Sequence, residues 1–309
     1  MDPLLVISNA GAGPADEESL KAALTLLRSH TDVEVQATSN PGELNGALHR
    51  AGSRRIVVAG GDGSLHAGVS TLHRRNELKS AVLGILPLGT GNDFARTNDI
   101  PLDVEEAAQV LIDGEPRPMD LVVDEVGEVV VNSVHAGAGA HAGRLGARWK
   151  DRLHSVGLGR VGTGRLDLGR LGYPIGGALA AVKPPFIRVA VEVDGEVVVD
   201  MDEPILMVAV GNGANVGGGT ELTPDADPGD GLVDVMVSRA VGPLARLGYG
   251  AKLMTGRHPE RDDVTYLRGS TVSVAGEEFW CSADGEIYGP ERHRTWRVEP
   301  AAYSLVVPR

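Results

Sequence analysis

Residues 56–64 of the chain read I-V-V-A-G-G-D-G-S. Four apolar residues, most of them β-branched, predict a short buried strand. The glycines and Asp62 predict a sharp turn, and the apolar spacing of residues 65–72 predicts a helix after it, with Ser64 as the cap. A strand, a glycine-rich turn and a helix N-terminus favour an anion-binding cradle, because the free N–H groups of the first helical turn point at the ligand.

Asp62, in the middle of this turn, allows two interpretations. A carboxylate repels phosphate unless a cation lies between them, so one interpretation is a magnesium nucleotide with Asp62 on its metal side. The other is a tight turn between strand and helix with an aspartate at the surface. The motif alone does not separate the two.

A second glycine turn follows in residues 83–96, L-G-I-L-P-L-G-T-G-N-D-F-A-R, where Thr90, Asn92 and Asp93 come after a buried strand. The intervening helix makes the two strands neighbours in one parallel sheet. Both turns then open at the carboxyl ends of their strands, where ligands bind in such sheets. This pairing favours the nucleotide interpretation.

Length and charge exclude several classes of protein. The chain has 309 residues, enough for two domains, and 29 basic against 42 acidic residues give a net charge of −13, which argues against a general nucleic-acid binder. The single Cys281 forms no internal disulfide. Neither a signal peptide nor an 18-residue apolar run is visible, so we expect a cytoplasmic protein that visits a membrane if its substrate is a lipid.

The motifs G-G-D-G-S (60–64) and P-L-G-T-G-N-D-F-A-R (87–96) resemble the diacylglycerol kinase catalytic domain of bacterial soluble lipid kinases. That family is related to sphingosine and ceramide kinases and, more distantly, to NAD kinases. The resemblance covers nearly the whole chain, although Ala10 replaces a family proline, Ser64 replaces a threonine and His66 replaces an asparagine.

The resemblance and the strand pattern predict an α/β N-terminal domain with a parallel sheet and a β-rich antiparallel C-terminal domain, with nucleotide in the cleft between them. The valine-rich alternation after Asp120 places the boundary there: residues 1–120 with a C-terminal return at about 296–309, then 121–295. Further strands are expected at residues 186–193, 196–200, 205–210, 232–238, 271–274 and 278–282.

The resemblance also implies a nucleotide site for ATP at the two glycine turns and the ends of the first two strands. Taken alone, Thr38 is better explained as a turn or capping residue. The implied contacts are Asn9, Thr38, Gly60, Gly61, Asp62, Gly63, Ser64, Leu65, His66, Gly89, Thr90 and Asn92.

On the acceptor side, C-S-A-D-G-E-I-Y-G (281–289) runs from a strand into a tight turn. Asp284 and Glu286 are two residues apart, which would place them on one side of an extended chain. Taken alone, D-G-E is a hairpin turn. By resemblance Glu286 is the catalytic base, with Asp284 assisting through the metal or by orienting Glu286, and with Asp62 as a further catalytic residue.

Two magnesium sites are implied by the same resemblance. Asp62, Asp93 and Asp120 would form an acidic network that holds Mg²⁺ and water between the domains. A structural Mg²⁺ would be held by the side chain of Asp230 and the main-chain carbonyls of Asp227 and Leu232, all oxygen ligands that suit a hard cation. The alternative for the second site is an acidic surface loop.

Residues 141–188 are basic in an otherwise acidic chain. Apolar residues on one helical face with bases beside them suit transient contact with an anionic membrane surface, and an ordinary amphipathic helix is the alternative. A homodimer is compatible with the sequence.

Together the motifs predict an ATP-dependent, magnesium-requiring kinase of diacylglycerol or a similar lipid. An NAD-kinase-like enzyme acting on a non-lipid alcohol and a nucleotide-binding regulator without turnover remain alternatives. The three differ in whether phosphate is transferred and to which acceptor.

Overall fold

The computed structural model describes residues 1–10, 13–138, 140 and 186–309. Most of the basic segment, residues 141–185, lies outside this part of the chain, so the membrane-contact prediction for it stays a prediction. Among the described residues, no helix has both the length and the apolar character needed to cross a membrane.

The N-terminal half alternates strands and helices, as its sequence pattern predicts. Its strands are β1 (Leu4–Asn9), β2 (Val33–Thr38), β3 (Arg55–Gly60), β4 (Val82–Pro87), β5 (Glu115–Asp124), β6 (Val129–Val130) and β7 (Ser133–Gly137). Its helices are α1 (Pro14–Arg28), α2 (Pro41–His49), α3 (Asp62–Arg74), α4 (Asp93–Thr97) and α5 (Val104–Asp113), with a 3₁₀ turn at Leu78–Ser80.

The C-terminal half is almost entirely β-structure in the part that is described. Its strands are β8 (Ile187–Val193), β9 (Glu196–Val199), β10 (Pro204–Ile205), β11 (Met207–Gly211), β12 (Asn215–Val216), β13 (Thr220–Glu221), β14 (Val233–Ser238), β15 (Val264–Gly269), β16 (Thr271–Ala283) and β17 (Glu286–Val307). One helix, α6 (Pro243–Leu253), and a 3₁₀ turn at His258–Glu260 accompany them.

Parallel pairing in the first half places the two glycine turns side by side. β3 lies between β1 and β4, all three parallel, and Gly60 pairs with Pro87 at the carboxyl ends. The strands are buried because helices cover the sheet, so their sequences are continuous apolar runs. The expected parallel sheet and the antiparallel, β-rich second half are therefore confirmed.

Strand β17 joins the two halves into one sheet. Its first part pairs antiparallel with β16, its later part pairs antiparallel with β5, and Ser304 and Leu305 pair with β4. Trp296 belongs to the valine-rich core of the second half, and Tyr303 belongs to the core of the first. The chain that carries the D-G-E turn thus runs directly into the nucleotide-side core.

Several local predictions are corrected by the structure. Gly61 is the N-cap of α3, and Ser64 lies inside the first turn, where its N–H donates to the Gly61 carbonyl. The strands expected at 271–274 and 278–282 are one strand with a register shift, and the strand expected at 205–210 is interrupted at Leu206. Asp120, the expected boundary, lies inside β5. Valine alternation indicates a pleated strand, but it does not show where the hydrogen-bonded pairing of that strand with its neighbours is interrupted.

Candidate active site

The two glycine turns are packed directly against each other. A Cβ on Gly89 would lie 2.5 Å from the Gly61 Cα and 2.8 Å from the Asn92 Oδ1, so this contact requires glycine. Asn92, in the left-handed region with φ 52°, closes its own turn by accepting from the Gly89 N–H at 3.1 Å and donating to the Gly89 carbonyl at 2.7 Å. Gly89 and Asn92 therefore shape the site from behind.

Asp62 accepts two backbone hydrogen bonds that the sequence did not predict. Its Oδ2 accepts from the Asp93 N–H and its Oδ1 from the Phe94 N–H, both at 3.1 Å. These are the free N–H groups at the start of α4, so Asp62 caps that helix from the neighbouring turn. Each oxygen retains a second lone pair for another ligand.

Asp93 links the parallel half of the sheet to the second half. Its Oδ1 accepts from the N–H groups of Gly218 and Gly219 at 2.9 and 2.7 Å. Burial raises the pKa of the Asp93 carboxyl, and the charge of Asp62 adds to this effect, while the Gly218 N–H acts against it. Two carboxylates facing one space favour a cation between them.

Asp284 is held almost completely by hydrogen bonds. Its Oδ1 accepts from the N–H groups of Asn132 and Ser133 at 2.9 and 3.1 Å, and its Oδ2 accepts from the Val131 N–H at 2.7 Å. The His66 Nδ1 contacts Oδ2 at 2.8 Å, and the Asp284 side chain is 2% exposed. These four partners fill the carboxylate's acceptor sites, which assigns Asp284 to positioning.

The prediction that Asp284 and Glu286 lie on one side of an extended chain is wrong. Asp284 adopts φ 48° in a left-handed turn, so the backbone reverses between the two residues. Asp284 points into the protein, and Glu286 is exposed at the first position of β17. Spacing of two residues implies a shared side only in regular strand geometry.

Two cavities adjoin this turn: Glu286 lines the larger one, and Asp284 lines the smaller one. The larger, of about 650 Å³, is lined by the start of α3, by the ends of β1 and β2, and by Glu286. The predicted nucleotide residues that line it are Asn9, Thr38, Gly61, Gly63, Ser64 and His66. The smaller, of about 280 Å³, is lined on its acidic side by Asp62, Asp93 and Asp284, together with Thr90.

Four predicted nucleotide contacts lie outside both linings, namely Gly60, Leu65, Gly89 and Asn92. Gly60 lies behind the turn, where a Cβ would meet the Ser64 Oγ at 2.5 Å. Leu65 is 3% exposed in the core, and its N–H donates a hydrogen bond to the Gly61 carbonyl. Leu65 is therefore a packing residue of α3 in this structure.

Asp120 does not join Asp62 and Asp93. Its Oδ1 accepts from the Ala301 N–H at 2.8 Å, and its Oδ2 accepts from the Gly231 N–H at 2.6 Å. These bonds tie β5 to β17 and to the loop before β14. Asp120 lines neither cavity, whereas Asp62, Asp93 and Asp284 line the smaller one together.

The second predicted magnesium region is acidic and balanced by arginines. Asp227 pairs with Arg117, and Asp230 pairs with Arg268. Asp230 also accepts from the Leu232 N–H at 3.0 Å. In the described part of the chain no three His, Cys, Asp or Glu side chains are arranged as a metal site, so a cation here needs main-chain oxygens as well.

Asp234, which the sequence analysis did not single out, lies beside this loop. Its side chain is 0% exposed, and Arg268 Nε lies 3.5 Å from its Oδ2. Neither carboxylate oxygen makes a hydrogen bond of good geometry among the described residues. Burial raises the pKa of Asp234 to about 6, and the nearby Tyr266 side chain acts against this effect. An unsatisfied buried carboxylate is compatible with a divalent cation.

Other lining residues were also missed by the sequence analysis. Glu128 lines the larger cavity, and Asn132 and His135 line the smaller. They come from the β5–β6 turn, from the connection between β6 and β7 and from β7, and no motif marks them. Their position follows from the pairing of β7 with β16, which brings His135 opposite Ser282.

A glycine-lined cleft at a helix N-terminus, with carboxylates beside it and an exposed glutamate in its lining, is typical of phosphoryl-transfer enzymes. Such enzymes work by positioning and by neutralising charge, and these groups supply both.

Comparison with known proteins agrees with this class. The family model of the diacylglycerol kinase catalytic domain matches residues 3–123, and that of the YegS C-terminal NAD kinase beta sandwich-like domain matches residues 156–307. A Stenotrophomonas maltophilia protein, "Probable lipid kinase YegS-like", is 31% identical over 307 residues, covering 96% of this chain and 92% of its own.

A further relative and a solved structure also match the chain. A diacylglycerol kinase of Bacillus subtilis is 28% identical over 266 residues, covering 84% of this chain and 80% of its own. The crystal structure of a diacylglycerol kinase from Bacillus anthracis shares the fold with a TM-score of 0.75 at 23% identity, covering 99% of this chain and 97% of that one.

The chain belongs to the diacylglycerol kinase catalytic-domain family. It is a phosphotransferase with an alcohol acceptor, and this kinase family implies ATP as the phosphate donor. The resemblance carried by residues 60–64 and 87–96 is thereby confirmed.

Proposed function

We propose that the chain is a magnesium-requiring lipid kinase that transfers the γ-phosphate of ATP to a hydroxyl of diacylglycerol or a similar lipid. The observation that carries the proposal is that Glu286 and the glycine-rich start of α3 line one cavity of about 650 Å³. The names of the relatives support a lipid as the acceptor.

The nucleotide would bind along the larger cavity. The N–H groups of Asp62 and Gly63, the first two residues of α3, lie where phosphate is favoured, because they precede the first bonds of the helix and lie at the positive end of its dipole. Asn9 and Thr38, at the ends of β1 and β2, line the same cavity. Gly61 and Gly89 are in close contact, and neither residue has a side chain that could enter the cleft.

The residues present fit a magnesium ion. A Cβ on Gly91 would lie 2.9 Å from the Asp62 Oδ2 and 3.5 Å from the Asp93 Oδ2, so both carboxylates flank one space that glycine leaves open. Asp62 and Asp93 would hold the ion, which when bound neutralises charge on the transferring phosphate. A structural ion at Asp230 and the carbonyls of Asp227 and Leu232 remains a second proposal.

Glu286 would accept the proton of the lipid hydroxyl. It is exposed at the cavity, while Asp284 two residues earlier is fixed by backbone N–H groups and holds the turn. A positioned carboxylate of this kind supplies about 10²- to 10⁴-fold in rate. The acceptor would come from a membrane surface.

The test is phosphate transfer from labelled ATP, with Mg²⁺, to diacylglycerol in mixed micelles. We expect product from the wild type, and loss of about 10²- to 10⁴-fold in Glu286→Gln with ATP binding retained. Glu278→Gln is the matched control, because Glu278 is an exposed glutamate of β16 that pairs only with the exposed Arg292 in the described structure. It should behave as the wild type.

Other outcomes identify the alternatives. Transfer to NAD or another soluble alcohol, with none to lipids, would contradict the lipid acceptor and retain the nucleotide site. ATP binding without transfer to any acceptor, unchanged by Glu286→Gln, would favour a regulator.

A further inference from the structure

His66 joins the nucleotide side of the site to the acceptor side. It lies in the second turn of α3, four residues after Asp62, and its Nδ1 contacts the Asp284 Oδ2 at 2.8 Å. Asp284 lies in the turn between β16 and β17, 218 residues away in the chain. The contact therefore joins the two halves of the molecule, between a residue that lines the larger cavity and one that lines the smaller.

Asp284, at the acceptor-side end of this contact, is bonded to one neighbouring segment. Asp284 accepts three N–H groups from residues 131–133, and its own N–H donates to the Ser133 carbonyl at 3.0 Å. These bonds tie the turn to the segment that leads into β7, and β7 pairs antiparallel with β16. His66 is the fourth partner of the carboxylate, and it comes from the other half.

The direction of the bond is set by the acceptor. An ionised carboxylate only accepts hydrogen bonds, so Nδ1 carries the proton whether the imidazole is neutral or charged. The other groups that face His66 are Glu286 and Glu128, which line the larger cavity with it. Asp284, Glu286 and Glu128 are all hydrogen-bond acceptors when ionised, so they favour a hydrogen-bond donor at this position.

We propose that His66 is a positioning residue for phosphoryl transfer, whose Nδ1–H bond to Asp284 aligns the turn of Glu286 with the nucleotide-binding start of α3. Glu286 follows Asp284 by two residues, so a shift of this turn moves the catalytic glutamate. A misplacement of about 1 Å can cost on the order of 10²-fold in rate, even from a residue that does not touch the reacting atoms. The proposal rests on the proposed function.

Three variants separate this role from a merely structural one. His66→Ala removes the donor. His66→Asn keeps an amide N–H at about the position of Nδ1 and removes the rest of the ring. His73→Ala is the matched control, because His73 lies on the same helix and its Nε2 pairs with the Glu299 Oε2 on the same strand β17 at 3.1 Å, outside the linings of both cavities.

In the transfer assay we expect His66→Ala to lower kcat about 10- to 100-fold, with the KM for ATP within about 3-fold of the wild type. His66→Asn should recover most of kcat, and His73→Ala should leave it unchanged. Equal loss in His66→Ala and His73→Ala would overturn the proposal, as would a loss in His66→Asn as large as in His66→Ala. A loss confined to KM would contradict it as well.

Amide hydrogen exchange gives a readout that does not depend on turnover. Without the bond, the amides of residues 284–287 should exchange about 10-fold faster in His66→Ala and at the wild-type rate in His66→Asn and His73→Ala. Unchanged exchange in His66→Ala would contradict the positioning role. If the wild type transfers no phosphate, the proposed function fails, and the exchange data still decide whether His66 holds the turn.

Discussion

Gly61 and Gly89 meet backbone to backbone, and a Cβ on Gly89 would lie 2.5 Å from the Gly61 Cα. The two residues belong to different turns, and their contact brings both turns to one edge of the sheet. A side chain at either position would force the turns apart, because backbone atoms cannot rotate away as a flexible side chain can.

We therefore expect Gly89→Ala to destabilise the fold by about 1–3 kcal/mol and to weaken ATP binding. Urea unfolding and nucleotide titration would measure the two effects. Gly250→Ala is the control, since Gly250 lies in α6 with no atom within 4 Å of its added Cβ, so alanine should be neutral or stabilising by up to about 1 kcal/mol. Wild-type stability in Gly89→Ala would contradict the close contact.

Asp62→Asn should lower stability as well as activity. Asp62 accepts one N–H on each oxygen, so the amide leaves one N–H group at the start of α4 without an acceptor. A loss of about 1–2 kcal/mol in urea unfolding is expected.

Asp103→Asn is the matched control for Asp62→Asn. Asp103 caps α5 through Oδ1 alone, which accepts from the N–H groups of Glu105 and Glu106, so an amide oxygen can keep both bonds. Asparagine caps helices about as well as aspartate. Equal stability losses in the two variants would contradict the capping role of Asp62.

Asp234 should make the metal-free protein less stable at neutral pH. Burial raises its pKa from 3.8 to about 6, so the folded state favours the protonated form. The free-energy cost of keeping Asp234 ionised in the folded state is fully present above pH 6, and it is lost as the pH falls towards 4. At 1.36 kcal/mol per pKa unit, that cost is at most about 3 kcal/mol.

Asp234→Asn should therefore stabilise the metal-free protein at pH 7, and the gain should disappear at about pH 4. Urea unfolding in the presence of a chelator, at both pH values, measures this difference. A gain that does not depend on pH would show that the charge of Asp234 is already compensated in the folded state.

The His66–Asp284 contact should stabilise the protein most at acidic pH. The hydrogen bond to Asp284 is the largest cause that raises the pKa of His66 above 6.5 in the folded state. A raised folded pKa means that the contribution is fully present below the unfolded pKa and is lost as the pH rises through the folded pKa.

The stability difference between the wild type and His66→Asn should thus shrink from mildly acidic to alkaline pH. NMR titration of the imidazole measures the pKa directly, and the His66→Asn spectrum identifies the signal. A measured pKa at or below 6.5 would contradict the contact in solution.

Much of the fold could be predicted from local patterns. Buried strands followed by glycine turns and amphipathic helices specify parallel pairing, and valine alternation specifies the β-rich half, because these patterns depend on the period of one segment. The full length of strand β17 could not be predicted. Residues 286–307 pair with three other strands, and the spacing of residues within one segment does not indicate which strands it pairs with.

The candidate site divides in the same way. The sequence identified the two glycine turns with Asp62 and Asp93 because they follow neighbouring parallel strands, whereas the D-G-E turn was singled out by the resemblance to the kinase family, since taken alone it is a hairpin turn. Only the tertiary structure decided which carboxylates are free: Asp284 is held by backbone N–H groups, Asp120 is tied to Ala301 and Gly231, and Glu286 faces the cavity. The reason is physical, because a carboxylate's role depends on the donors around it, and those donors come from segments far away in the chain.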